Sequence, residues 1–423
     1  MDIIEELRWR GSIHDATPGV EDMLGSEKAT VYVGFDPTAR SLHVGNLVPI
    51  MGLVRMQRHG HSPIAIAGAG TGMIGDPSGR DDERQLLSVE EIDSNVENIK
   101  LQLAHFLDFD ASANPARIIN NADWLRKVGM TDFLRDVGKH FTVNYMLAKE
   151  SVASRMVREQ GVSYTEFSYM LLQAYDYLVL HDEYGCNLQM GGSDQWGNIL
   201  AGVDLIRRAR GHQAHAMSYP LITTASGAKF GKSVGGAPTL DPEETSPYRF
   251  YQFWINVDDA DVVSYMKLFT LLDADEIARF EDAVVTEPQK REAQRALAAT
   301  VTEMVHGSAG VTTAQRATEV LFGGDMDGFS ASELLDIFAD VPSEDVERTT
   351  LHGDGIGLPQ LLTQAGAAKS NGEARRLIEG GGVYLNNQRM SDARGTVTLD
   401  NAIDGDVVVL RRGARNYFMV RLV

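Results

Sequence analysis

The chain has a single cysteine, Cys186, among 423 residues. An internal disulfide is therefore impossible, and no Cys/His cluster has zinc spacing. A catalytic thiol needs an activating partner, and none accompanies Cys186, so a small buried side chain is the expectation. This usage fits a reducing cytoplasm. Long apolar runs are missing too: no stretch reaches the roughly 18 residues of a membrane-spanning helix. The opening run MDIIEELRWRG has acids where a secretion signal has bases and then an apolar segment, so none is expected. Positive charge is scarce. Lys and Arg number 39 against 59 Asp and Glu, a formal net of -20. That balance argues against an indiscriminate nucleic-acid binder and fits a salty cytoplasm, where surface carboxylates keep proteins soluble. The exception is local: 367–423 hold nine Lys/Arg against six Asp/Glu.

A chain of this length exceeds one ordinary core and points to several domains. Over 1–222, strand-like apolar runs (29–35, 63–67) end in Gly-rich turns and alternate with amphipathic helical stretches (89–107, 166–181). That alternation predicts an α/β domain with a mostly parallel sheet. From about 245 to 323 the pattern is helical, within a second region taken as 223–324. Asp273 and Glu276 form a capping-box pair, Pro288 can open a further helix that Gly307 can close, and Thr312 or Thr313 can cap the next. Residues 325–355 are acidic and read as a solvated linker with one short helix over 332–338. The last part, 356–423, starts as helix and ends in short strands. Its runs KSNGEARR (369–376) and GGGVYLN (380–386) resemble a small α+β RNA-binding module shared by a ribosomal protein and pseudouridine synthases.

Two short runs carry the phosphate chemistry. In YVGFDPTARSLHVGN a strand ends near Phe35, and a helix begins near His43, given the spacing of Leu47, Ile50 and Leu53. A helix N-terminus offers free N–H groups to an anion, Gly45 allows close approach, and Thr38 and His43 can donate to phosphate oxygens. In ASGAKFGKS, Lys229 and Lys232 put two ammonium groups on a Gly-flanked loop, suited to a pyrophosphate whose charge grows as a bond breaks. This run falls one residue short of a P-loop, and no strand immediately precedes it. The run GAGTGMIG (68–75) matches a dinucleotide fingerprint, but Asp76-Pro77-Ser78-Gly79 follows at once and breaks the helix that should receive the pyrophosphate. On the stretch YMLLQAYDYLVL, Tyr169, Gln173 and Asp176 share one helix face, where polar groups are costly to bury without partners.

Together and in this order, LHVGN and KFGKS resemble the two ATP-binding signatures of class I aminoacyl-tRNA synthetases. The run QMGGSDQWGN (189–198), the Tyr169–Asp176 helix and SPYRFYQFWIN (246–256) resemble the tyrosyl-tRNA synthetases of bacterial type. The likeness covers nearly the whole chain, strongest over 30–256 and weakest over 300–355. Two departures stand out: Asn46 replaces a second histidine, and Phe230-Gly231 replaces Met-Ser between the lysines.

The resemblance implies a Rossmann-like catalytic domain with a dimer-forming insertion (1–222). It is followed by a signature-loop and anticodon-binding helical domain (223–324), the acidic linker (325–355) and the C-terminal RNA-binding module (356–423). It implies that Tyr32 and Asp176 bind the phenol of tyrosine and that Asp76, Tyr169 and Gln173 hold its ammonium. Gly34, Asp36 and Gln195 would complete that pocket. A pocket that hydrogen-bonds a hydroxyl rejects the analogue lacking it, a rule for which tyrosyl synthetases are the usual example. Thr38, His43, Asn46, Arg80, Arg84, Lys229, Lys232 and Ser233 would act on the phosphates, while Gly45, Gly192 and Asp194 would help bind ATP. Lys369, Arg375, Arg376, Arg411 and Arg412 are candidates for contact with tRNA(Tyr). ATP is implied as a substrate carrying Mg²⁺, with no resident metal or bound cofactor, and a cytoplasmic homodimer is expected. Other readings are a tryptophanyl-tRNA synthetase, a NAD-linked dehydrogenase and a non-catalytic RNA-binding protein.

Overall fold

The computed structural model describes residues 1–78, 87–149, 152–153, 156, 162–225, 227, 230, 236–339, 341–414 and 416–423. The chain divides into two compact units: Met1–Glu244 with Trp254–Val305, and Thr245–Phe253 with His306–Val423.

In the first unit six strands form one sheet: β1 (Asp15–Ala16), β2 (Thr30–Phe35), β3 (Ser62–Ala67), β4 (Arg117–Asn120), β5 (Leu188–Gly192) and β6 (His215–Tyr219). Their order is β1-β6-β5-β2-β3-β4, parallel throughout except for β1 on β6. Val31, Tyr32, Val33 and Phe35 of β2 and residues 63–67 of β3 are buried, as strands covered on both faces must be. The strand order reverses at β2, which has β3 on one side and β5 on the other. A sheet of this kind binds ligands in the crevice beyond the carboxyl ends of those strands.

The helix after β2, Leu47–Arg58, is fixed at its far end by a buried arginine. Arg55 is 2% exposed and donates to the carbonyls of Lys267, Leu268 and Thr270 at 3.1, 2.7 and 3.1 Å. Arg10 adds bonds to the carbonyls of Lys267, Thr270 and Leu272. These carbonyls lie at the C-terminal end of the Asp259–Phe269 helix, where free acceptors and the helix dipole favour cations. Burial, followed by the charge of Arg10, pushes the Arg55 guanidinium down to about 9.

In the second unit a five-stranded sheet runs in the order Gln388–Met390, Val383–Leu385, Val407–Arg412, Asn416–Leu422, Ser343–Val346. Alternation along Val407–Arg412 sends Val408 and Leu410 to one face, against Leu361 and Ile378 of two helices. Val407 and Val409 go to the other face, with Tyr417 and Met419, against Val320, Phe329, Leu334 and Phe338.

Two expectations are corrected here. The acidic stretch 325–355 is not simply a solvated linker. Its helix Ala331–Ile337 and its strand Ser343–Val346 are part of this unit, because Phe329, Leu334, Ile337, Phe338 and Val346 alternate with the acids and are buried. Thr312 is not a cap. Helix Glu292–Leu321 turns at Gly307 (φ 71°, ψ 176°), and Thr312 lies inside the following segment, its hydroxyl donating to the Ser308 carbonyl. The Asp273–Glu276 capping box forms as the sequence suggests.

Candidate active site

Beyond β2 and β5 lies a cavity of about 300 Å³. Its wall brings together Tyr32, Gly34, Asp36, Thr38, His43 and Asn46 from β2 and the turn after it. Asp76 joins them, with Tyr169, Gln173 and Asp176 from the Tyr164–Tyr184 helix, and Gly192 and Gln195 after β5.

One end of the cavity is built for a hydroxyl. Asp176 is 4% exposed, and its carboxylate accepts from Asn121 Nδ2 at 2.9 Å and Trp124 Nε1 at 2.7 Å. Burial pushes its carboxyl up to about 8, against the lowering effect of those two donors. Tyr32 is 1% exposed, and its hydroxyl has no hydrogen-bond partner among the described residues. Burial, followed by the charge of Asp176, holds this phenol well above its ordinary range.

A chain of hydrogen bonds leads to a second, anionic region. Asn121 Nδ2 also donates to Thr71 Oγ1 at 3.0 Å, and Thr71 donates to Asp36 Oδ1 at 2.7 Å. Tyr169 donates to Asp36 Oδ2 at 2.8 Å, which leaves its phenolic oxygen as an acceptor. Close approach is needed here: a Cβ on Gly68 would come within 2.2 Å of Asp36 Oδ1. Asp76, 6% exposed, accepts from Gln195 Nε2 at 2.6 Å and from the Ser78 amide at 2.9 Å. Carboxylates at Asp36 and Asp76 with a phenolic acceptor suit an ammonium group.

The turn after β2 adds a histidine and a helix start to the wall. His43 caps the short helix Val44–Asn46, its Nδ1 accepting from the Gly45 amide at 3.0 Å. Asn46 Oδ1 accepts from the His43 amide at 3.0 Å, so this asparagine holds the histidine's backbone.

Some sequence assignments change. Gly45 is not on the cavity wall. A Cβ there would come within 2.8 Å of the His43 ring, so this glycine makes room for the histidine. Asp194 also stands off the wall, its carboxyl raised by burial and then by Asp76. Arg411 is 7% exposed, stacks on Tyr384 at 3.6 Å and donates to Asn387, so it is a core residue and not an RNA contact. Lys369, Arg375 and Arg376 are exposed, and Arg412 is half-buried, donating to the Ala367 carbonyl. Arg80, Arg84, Lys229, Lys232 and Ser233 lie outside the described residues. Phe230, between the lysines, packs on Phe269 at 5.1 Å and Tyr265 at 5.1 Å. Thr71, Asn121, Trp124 and Gln189 were not singled out from sequence. Asn121 directly follows the carboxyl end of β4, a position that a parallel sheet gives to ligand-binding residues.

The family model for class I tRNA synthetases (W and Y) matches residues 25–323, and that for the SYY-like C-terminal domain of tyrosine–tRNA ligase matches 333–420. The chain is 55% identical to the tyrosine–tRNA ligase of Roseiflexus castenholzii, over 100% of this chain and 99% of that one. It is 50% identical to the tyrosine–tRNA ligase of Opitutus terrae over 100% of both chains. A C-terminally truncated mitochondrial tyrosyl-tRNA synthetase of Aspergillus nidulans superposes with a TM-score of 0.69 at 30% identity, covering 76% of this chain and 94% of that one. These likenesses favour the tyrosine-specific reading over the tryptophan-specific, dehydrogenase and non-catalytic ones. On these matches the chain belongs to the bacterial-type tyrosine–tRNA ligases of class I, which join tyrosine to tRNA at the expense of ATP.

Proposed function

We propose that tyrosine lies along this cavity with its phenol between Tyr32 and Asp176 and its ammonium among Asp36, Asp76, Tyr169 and Gln173. The observation that carries this reading is the buried Tyr32 hydroxyl at the Asp176 end, which has no hydrogen-bond partner among the described residues. A hydroxyl left in that state is costly, and a substrate phenol would supply its partner. Gln195, bonded to Asp76, would orient the tyrosine carboxylate toward ATP.

In the first step a carboxylate oxygen of tyrosine attacks the α-phosphorus of ATP. The bond from that phosphorus to the bridging oxygen breaks, and pyrophosphate leaves with its electron pair. The nucleophile is already anionic, so no general base is needed. Positioning and charge stabilisation carry the rate. Thr38 and His43 would donate to the phosphates, Asn46 would hold His43, and Gly192 and Asp194 would flank the ribose. Arg80, Arg84, Lys229, Lys232 and Ser233 would meet the departing pyrophosphate, and Mg²⁺ arrives with ATP as part of the substrate. In the second step a ribose hydroxyl at the 3′ end of tRNA(Tyr) takes the tyrosyl group from AMP. Lys369, Arg375, Arg376 and Arg412 would contact that tRNA.

The division of labour we propose puts catalysis in 1–222, the signature loop and anticodon-side helices in 223–324, and RNA binding in 356–423. We also propose a cytoplasmic homodimer. Exposed apolar side chains at Met130, Leu134, Val143 and Leu147 support a second copy covering that face. Equilibrium dialysis tests the pocket: Asp176→Ala should lose tyrosine binding, and unchanged binding would place the pocket elsewhere. For the loop, Lys232→Ala should slow adenylate formation far more than it weakens tyrosine binding.

A further inference from the structure

Three consecutive backbone amides lead into the phosphate-binding turn, and a different group holds each one. The Leu42 amide donates to Gln102 Oε1 at 2.9 Å, the His43 amide to Asn46 Oδ1 at 3.0 Å, and the Val44 amide to the Pro238 carbonyl at 2.9 Å. The third bond belongs to a short antiparallel pairing in which His43 faces Thr239 and the Leu240 amide donates to the Leu42 carbonyl at 2.8 Å. The segment 238–241 follows the signature lysines in sequence, so the backbone a few residues after them pairs with the first ATP motif.

Ser41 ties the crossing. Its hydroxyl donates to the Leu42 carbonyl at 2.7 Å and accepts from Gln102 Nε2 at 3.0 Å and from the Asp241 amide at 3.1 Å. One donor and two acceptor positions are all that a serine hydroxyl has, and all are used. The Gln102 amide is also unambiguous. Its oxygen must face the Leu42 N–H, so its nitrogen faces Ser41. Gln102 sits near the end of the Val89–Leu103 helix and does not line the cavity, whereas Ser41, 6% exposed, does. Arg40 pairs with Asp241 and Glu243 outside the knot, and its exposed guanidinium makes those pairs worth little.

We infer that Gln102 is a positioning residue for tyrosine activation: through Leu42 and Ser41 it fixes the His43 imidazole and locks the segment after the signature lysines onto the first ATP motif. The inference rests on the reading of His43 as a phosphate donor. A donor moved by a fraction of an ångström leaves the transition state poorly matched while the tyrosine end of the cavity is untouched.

The test is single-turnover tyrosyl-adenylate formation by the full chain, with tyrosine affinity and melting temperature measured in parallel. Gln102→Met keeps the volume and loses both bonds. It should slow adenylate formation between about 10- and 100-fold with tyrosine affinity within about twofold. Gln102→Glu keeps the acceptor for Leu42 but has no donor for the Ser41 hydroxyl, whose one proton already goes to the Leu42 carbonyl, so it should recover only part of the rate. Combining Gln102→Met with His43→Ala should cost little beyond His43→Ala alone, because the two act as a unit. A Gln102→Met rate within twofold of the parent, an equal loss in tyrosine affinity, or fully multiplicative effects with His43→Ala would each overturn the inference. If Gln102→Met does not fold, Ser41→Ala carries the same expectations. His43→Ala at the parental rate would instead overturn the phosphate-donor reading itself.

Discussion

Replacing Tyr32 by phenylalanine removes one oxygen from a side chain that is 1% exposed, and that oxygen has no hydrogen-bond partner among the described residues. Leaving a buried hydroxyl unpaired costs about 1–3 kcal/mol. The ligand-free enzyme should therefore gain stability, by about 1 kcal/mol after allowing for the small void left beside Asp176. For a unit of this size that raises the melting midpoint by about 1–2 °C. Tyrosine binding should move the other way. One hydrogen bond between neutral partners is worth about 0.5–1.5 kcal/mol, so affinity should fall about 2- to 10-fold. Phenylalanine never engages that hydroxyl, so its affinity should hold or improve, and discrimination should fall. Calorimetry of the ligand-free protein and the ratio of tyrosine- to phenylalanine-dependent pyrophosphate exchange read the two effects separately. A lower melting temperature would mean that the hydroxyl already has a partner, and an unchanged ratio would mean that it does not meet the substrate. Either result refutes the reasoning.

Further outcomes follow from the same geometry. Burial raises the Asp176 carboxyl from 3.8 to about 8, so its contribution to stability is fully present below the unfolded value and is lost as pH rises toward 8. Asp176→Asn should flatten that part of the melting temperature–pH profile measured from pH 4 to 8, and profiles that stay parallel would contradict it. Cys186 is buried, its Sγ lies 3.3 Å from the Thr30 carbonyl, and burial holds its thiol above the ordinary range. A thiol reagent such as dithionitrobenzoate should find no reactive group in the native chain and one after denaturation. Arg411→Ala should destabilise the C-terminal unit by about 1–3 kcal/mol in urea unfolding. Arg375→Ala should leave stability alone and lower the salt dependence of tRNA binding by about one unit of slope.

The parallel sheet, the helix starting at His43 and the Tyr169–Asp176 face were legible because each has a local cause: apolar runs ending in turns, or polar side chains at helical spacing. The inner wiring of the turn at His43 was not legible. Gly45 reads as room for a ligand, and the coordinates add that it makes room for the His43 ring. Asn121 and Trp124 support Asp176 from more than 50 residues away in sequence, and no periodicity connects them to it. The acidic stretch misled for a related reason. Its nine acids dominate the composition, yet Phe329, Leu334, Phe338 and Val346 spaced among them decide the packing. Arg411 looked like an RNA contact because charge was counted without burial. In the structure its guanidinium lies between Tyr384 and Asn387.

The most direct measurement is ATP–pyrophosphate exchange by the purified chain, with tyrosine, phenylalanine and tryptophan each supplied as the only amino acid. The account predicts rapid exchange with tyrosine and almost none with the other two, and a parallel run of Asp176→Ala should lose the tyrosine signal. Exchange that tryptophan supports as well as tyrosine, or that survives the loss of Asp176, would contradict it.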